Sequence, residues 1–167
     1  MLGFLKSIFK RPSLEELAAK PGSGVMKDSD FGYISYEPPS AEGEEGYWQM
    51  YDDWSFPEVN AKLGCSAIPG DEHGPFQIAR KFLLSKRDAL EELWVLCGGE
   101  LEKIKEQWYP EKTDKSYRDI YFLSSISMER SDSNEWEISF ESNDSYFWTF
   151  VSFQIKDNNI LGNTIDT

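Results

Sequence analysis

With 167 residues, 15% of them aromatic, the chain is long enough to bury one substantial core and too rich in Phe, Tyr and Trp to be disordered over most of its length. Its 30 acidic residues against 17 basic ones give a net charge of −13, which repels phosphate backbones, so direct DNA or RNA binding is not expected. Complementarity favours a basic protein partner, and the alternative is that the charge merely keeps the protein dispersed. The single histidine rules out any site that needs two, such as HExxH.

Residues 1–25 read as an N-terminal helical extension and residues 26–167 as one acidic domain. In the extension, Leu2, Leu5, Ile8 and Phe9 recur at helical spacing, with Lys6, Lys10 and Arg11 clustered toward the other side. This amphipathic segment suits either an edge of the core or weak contact with an anionic membrane surface. Pro12-Ser13 before Glu15 and Glu16 predicts a second short helix from Leu14 to Lys20, which Pro21-Gly22-Ser23-Gly24 ends. From Asp30 the period changes to two. FGYISYE (31–37), GYWQMYDDW (46–54) and VNAKLGCSAI (59–68) are three expected strands, the last with one buried face.

The middle of the chain is helical. FQIARKFLL (76–84) is followed by Ser85 and, three residues on, Asp88, a capping-box-like start for the next helix. That helix carries the stripe Leu90, Trp94, Cys97, Leu101, Ile104 and Trp108, with Pro110 as its stop. Gly98-Gly99 lies inside the stripe without breaking its phase, which points to close packing against the sheet or a local kink. The last third returns to strands at 118–129, 135–141, 145–155 and 159–165, with a tight turn at Asp157-Asn158-Asn159. The expected fold is α+β, in the order βββ-αα-ββββ. A single twisted, mainly antiparallel sheet of about seven strands would carry a helical pair on one face.

Three groups of residues are candidates for function. Asp71, Glu72 and the lone His73 share a glycine-bounded loop and could form an acid–base or metal-assisted centre of a small hydrolase; as a solvated loop they would help cap the helix after Pro75. Tyr47, Tyr51, Asp52 and Asp53 mix amphipathic rings with carboxylates, as ligand- or protein-binding patches do, while Trp48, Met50 and Trp54 of the same segment would fill the core. Glu135, Glu137 and Glu141 alternate with Trp136, Ile138 and Phe140, which gives one core face and one acidic, solvated face. DNNILGN (157–163) starts like a calcium loop but has Leu161 at the fifth position, so neither a metal nor a cofactor is expected. Cys65 and Cys97 form no CxxC pair and read as free thiols in a reducing compartment. No stretch is long and apolar enough to span a bilayer, and a cytoplasmic protein is expected.

The layout of FGYISYE, an aromatic strand, a helical middle with ALEELW and LEKIKEQW, and the ending FVSFQIKDNNILGNTID resembles that of uncharacterised bacterial domains among the immunity proteins of polymorphic toxin systems, over residues 30–167. The resemblance implies a small cytoplasmic protein that binds and blocks a toxin, and carries no site residue over. The expected function is thus a non-enzymatic, acidic protein-binding domain. A hydrolase built on Asp71, Glu72 and His73, or a ligand-binding module built on the aromatics of 47–56, are the alternatives.

Overall fold

The computed structural model describes residues 11–64, 66–143 and 147–167, so the amphipathic segment expected at the start of the chain lies, apart from Arg11, outside the described residues. The fold is α+β. Helix α1 (Leu14–Ala18) begins at Ser13, whose hydroxyl accepts from the Glu16 N–H while the Glu16 carboxylate accepts from the Ser13 N–H, a complete capping box. Strand β1 (Val25–Asp28) starts at the last residue of the stretch read as an extension, and sequence reading missed it. Strand β2 (Gly32–Glu37) follows as expected, and β3 (Gly46–Met50) is the first part of the segment read as one strand over 46–54.

The described strands form two sheets, which corrects the expectation of one sheet of about seven strands. After β3 come β4 (Trp54–Phe56), β5 (Ala61–Leu63), β6 (Ala67–Asp71) and β7 (Gly74–Pro75). After the helices come β8 (Tyr121–Met128), β9 (Glu135–Ser142), β10 (Phe150–Lys156) and β11 (Asn159–Asp166). One sheet has the order β1-β2-β3-β6-β7 and the other β11-β10-β9-β8-β5-β4. Every pairing is antiparallel except that of β5 with β8.

Two segments read as single strands each pass from one sheet to the other. GYWQMYDDW leaves the five-stranded sheet after Met50 and re-enters the six-stranded one at Trp54. VNAKLGCSAI runs beside β8 through Leu63 and diverges before Ala67. At the divergence side-chain hydroxyls replace the backbone ladder: Ala67 N–H donates to Ser127 Oγ at 3.2 Å and Ile126 N–H to Ser66 Oγ at 3.4 Å. Backbone groups that leave a ladder must find other partners, and these serines supply them. Asn60, in the left-handed region at φ 50°, fixes the entry to β5 by donating through Nδ2 to the carbonyls of Arg118 and Tyr121.

Helix α2 (Gln77–Arg87) continues through Ser85, whose hydroxyl donates back to the Phe82 carbonyl at 2.6 Å, so the expected cap at Ser85 is not formed. Helix α3 (Leu90–Trp108) begins after Ala89 instead. Its stripe is as expected: Leu90, Trp94, Cys97, Leu101 and Ile104 are buried and Trp108 is half-buried. The helical pair covers the inner face of the six-stranded sheet, with Trp94 against Phe140 at 4.8 Å and Phe82 against Trp136 at 5.6 Å between ring centroids. Trp94 Nε1 also donates to the Val59 carbonyl at 2.8 Å, which satisfies the one polar atom of this buried ring. Burial of each such large apolar side chain contributes about 1.5–3 kcal/mol. The short helix α4 (Tyr117–Ile120), where the sequence suggested the start of a strand, is nucleated by a Ser116/Asp119 capping box. The turn before β11 is as read, with Asp157 and Asn158 at φ 49° and 60°. No helix among the described residues is long and apolar enough to cross a membrane.

Candidate protein-binding face

The helices occupy one side of the six-stranded sheet, and the other side carries the candidate site. Strand alternation assigns its residues: Trp136, Ile138 and Phe140 of β9 point into the core, and Glu135, Glu137, Ser139 and Glu141 point away. The strand register then builds the face row by row. Phe122, Glu141, Phe150 and Asp166 lie side by side across β8, β9, β10 and β11. The next row is Ser125, Ser139, Ser152 and Thr164, and the one after it Ser127, Glu137, Gln154 and Gly162. Hydroxyl side chains thus run through the middle of the sheet, with the Ser139 and Ser152 oxygens bonded at 2.9 Å. Ser139 and Ser152 are buried beneath the flanking side chains, while over the serines of β8 the surface is hollowed.

The hollow is an open depression of about 360 Å³ lined by Asp53, Lys62, Phe122, Glu137, Glu141 and Phe150 together with Gly64 and the serines of β8. Lys62 Nζ and Asp53 Oδ2 pair at 2.8 Å. The hydrogen bond to Asp53 and its charge hold the Lys62 ammonium above its ordinary range, and the charge of Glu141 adds to this. A side chain at Gly64 would collide with the Asp53 carboxylate, so glycine makes room for the pair. At the far end Lys156 and Glu135 pair at 2.8 Å. Between these pairs, Glu137 and Glu141 have no basic partner within 4 Å among the described residues. Glu137 accepts only a long bond from Ser139 Oγ, and Glu141 one from Trp148 Nε1, each at 3.5 Å. The Trp148 ring is 46% exposed and stacks on Phe150 at 6.1 Å. Two carboxylates without a basic partner, beside the exposed Trp148 and the half-buried Phe122 and Phe150, form a surface that attracts cations and offers apolar area.

The remaining candidates lie elsewhere. Asp71, Glu72 and His73 make the exposed tip of the β6–β7 hairpin, where the Asp71 carboxylate accepts the His73 N–H at 2.9 Å and His73 faces Glu72 at 3.7 Å. They do not cap α2: its N-cap is Phe76, without a side-chain bond, and Pro75 belongs to β7. Among the described residues no three His, Cys, Asp or Glu side chains gather as they would around an ion. The aromatic segment divides as read for its core members, with Trp48 and Met50 buried, Trp54 half-buried, and Tyr47 and Tyr51 exposed. Tyr47 stays on the five-stranded sheet, beside Pro38 and Pro39, while Asp53 crosses to the depression, so the two do not share a patch. Asp52 instead accepts the Tyr33 N–H at 3.3 Å.

The structure therefore brings together Asp53, Glu137 and Glu141 from the residues singled out in the sequence. Sequence reading missed Lys62, Phe122, Trp148 and Phe150. The available signal was the serines and Gln154 alternating with apolar residues in β8 and β10, which marks both strands as having a polar outer face. No protein-family model, curated protein or solved structure matches the chain.

Proposed function

We propose that this chain is a non-enzymatic protein-binding domain of the immunity type, which neutralises a basic protein by covering it with the outer face of its six-stranded sheet. The observation that carries this reading is the pair of unpaired carboxylates, Glu137 and Glu141, set beside Phe122, Phe150 and the half-exposed Trp148. Binding hot spots combine aromatic anchors with charges that are desolvated on contact, and a net charge of −13 steers a basic partner toward the domain. A cytoplasmic setting accords with the buried free thiol of Cys97.

The test is affinity capture from native lysate at low and high salt, with the wild-type chain and with the Glu137→Gln/Glu141→Gln double variant in parallel. A basic protein held by the wild type at low salt, released at high salt and lost by the double variant supports the reading. Equal retention by both chains moves the contact off this face. Absence of any specific partner at either salt overturns the assignment.

A further inference from the structure

We infer that the end of this face formed by Phe122, Glu141, Phe150 and Trp148 receives an arginine side chain of the partner, in preference to a lysine. The inference rests on the protein-binding reading above and gives its chemistry. Register places Phe122 and Phe150 on the two strands flanking β9, both directly opposite Glu141, so one carboxylate stands between two phenyl rings. The indole of Trp148 extends this aromatic surface, with its plane within 22° of that of Phe150 and its N–H toward the same carboxylate. A planar guanidinium can lie along aromatic faces and still present a fork of N–H donors to a carboxylate, whereas a compact ammonium does one or the other.

A second observation points to the same kind of ligand. Ser124 lines the depression at the bulge where β8 slips register between Leu123 and Ser125. The residue is only 6% exposed, and its hydroxyl has no hydrogen-bond partner among the described residues. A buried polar atom without a partner is costly, and such atoms recur where a ligand completes them. The hydroxyl has almost no accessible surface, so a ligand meets it only when a covering side chain moves aside; guanidinium, with five N–H donors, has enough for Glu141 and for this oxygen besides. Lys62, already paired with Asp53, bounds the depression on the side of β5, so an incoming cation is directed to Glu141 and Glu137.

The experiment is an amide NMR titration of the full chain with two capped tripeptides of equal charge, Gly-Arg-Gly and Gly-Lys-Gly, at low salt. The arginine peptide is expected to move the resonances of Phe122, Ser124, Glu141 and Phe150 and to bind about threefold or more tightly than the lysine peptide, the increment of an exposed cation–π contact. Glu141→Gln should abolish this preference, and Glu72→Gln, at the distant hairpin tip, should preserve it. Ser124→Ala is the variant that separates ligand binding from folding: it removes an unpaired hydroxyl, so thermal stability should hold while arginine affinity falls. Equal affinity for the two peptides on this face overturns the arginine preference and leaves the acidic surface standing as a binding face. Shifts centred elsewhere, or no shifts on this face, overturn both.

Discussion

The phenol of Tyr117 occupies the space that a side chain at Gly98 would need: a Cβ at Gly98 would lie 2.6 Å from the Tyr117 oxygen. The close packing read from Gly98-Gly99 is therefore made by α4 and not by the sheet, and only one of the two glycines makes it. Tyr117 cannot easily retreat, because its ring packs on Trp94 at 5.9 Å and its N–H donates to Glu102 at 3.3 Å. Gly99 is exposed, and a Cβ there meets nothing within 4 Å. Gly99→Ala is expected to stabilise the fold by about 1 kcal/mol through helix propensity. Gly98→Ala has the same gain offset by an overpacking cost of about 1–3 kcal/mol and should come out destabilising. Denaturant midpoints of the two variants, moving in opposite directions, are the check; two equal increases would mean that Tyr117 does not hold its place.

The contrast between these glycines marks how far the sequence is legible. The stripe from Leu90 to Trp108 and the alternation in β9 depend on local periodicity, so both are readable along the chain. The division into two sheets is not, because the hydroxyls that release β6 from β8 act between residues 60 positions apart, as in Ser66 with Ile126 and Ala67 with Ser127. The same limit governs the site. Glu137 and Glu141 stand out because they alternate with core residues. Phe150 and Phe122 look like further core by type; Phe150 shares the phase of Ser152 and Gln154 and so follows the alternation of β10, whereas Phe122 reaches the outer face only through the register slip between Leu123 and Ser125.

Trp148 is held near Glu141 by what lies on either side of it. The Tyr109 hydroxyl donates to the Phe147 carbonyl at 2.7 Å and lies 2.9 Å from Thr149 Oγ1, while the Thr149 N–H donates to Ser142 Oγ at 2.8 Å. Tyr109→Phe removes the buried bond to Phe147 and should cost about 1–2 kcal/mol. Hydrogen exchange at Thr149 should accelerate by more than this global loss predicts, since the strand entry is loosened as well. An unchanged exchange rate would show that the aromatic platform does not depend on Tyr109.

Cys97 sits fully buried on α3, and burial pushes its thiol up to about 12. The thiolate is the reactive species, so at pH 8 the native chain should leave Cys97 unmodified by a maleimide over hours, with labelling only at the rate of unfolding. Peptide mapping after the reaction separates it from Cys65. Cys97→Ser should destabilise by about 1–3 kcal/mol, because a hydroxyl would take the place of a small hydrophobe among apolar neighbours. Rapid labelling under native conditions would show that α3 opens locally.

Arg80 of α2 ties the helical layer to the five-stranded sheet through Asp28 and Asp30. Arg80 Nη1 donates to Asp28 Oδ1 at 2.8 Å, the second guanidinium nitrogen bonds the other Asp28 oxygen, and Asp30 accepts a further bond. Phe31 lies under the guanidinium at 5.0 Å. Burial pushes the Asp28 carboxyl up, but the bonds from Arg80 and from the N–H groups of Asp30 and Phe31 outweigh it, and the net shift is downward. A carboxylate whose folded pKa is depressed contributes stability that is complete above the unfolded value of about 3.9 and is lost as pH falls through the lower folded value. Stability should therefore decline on acidification below about pH 4, and Asp28→Asn should flatten that part of the profile. Arg80→Met leaves a nearly buried carboxylate without its cation and should cost about 3 kcal/mol at neutral pH. The double variant Asp28→Asn/Arg80→Met should recover part of that loss, because no unpaired charge remains. Unfolding measured between pH 3 and 7 for the four chains decides this; a profile for Asp28→Asn that matches the wild type would remove Asp28 as the source of acid sensitivity.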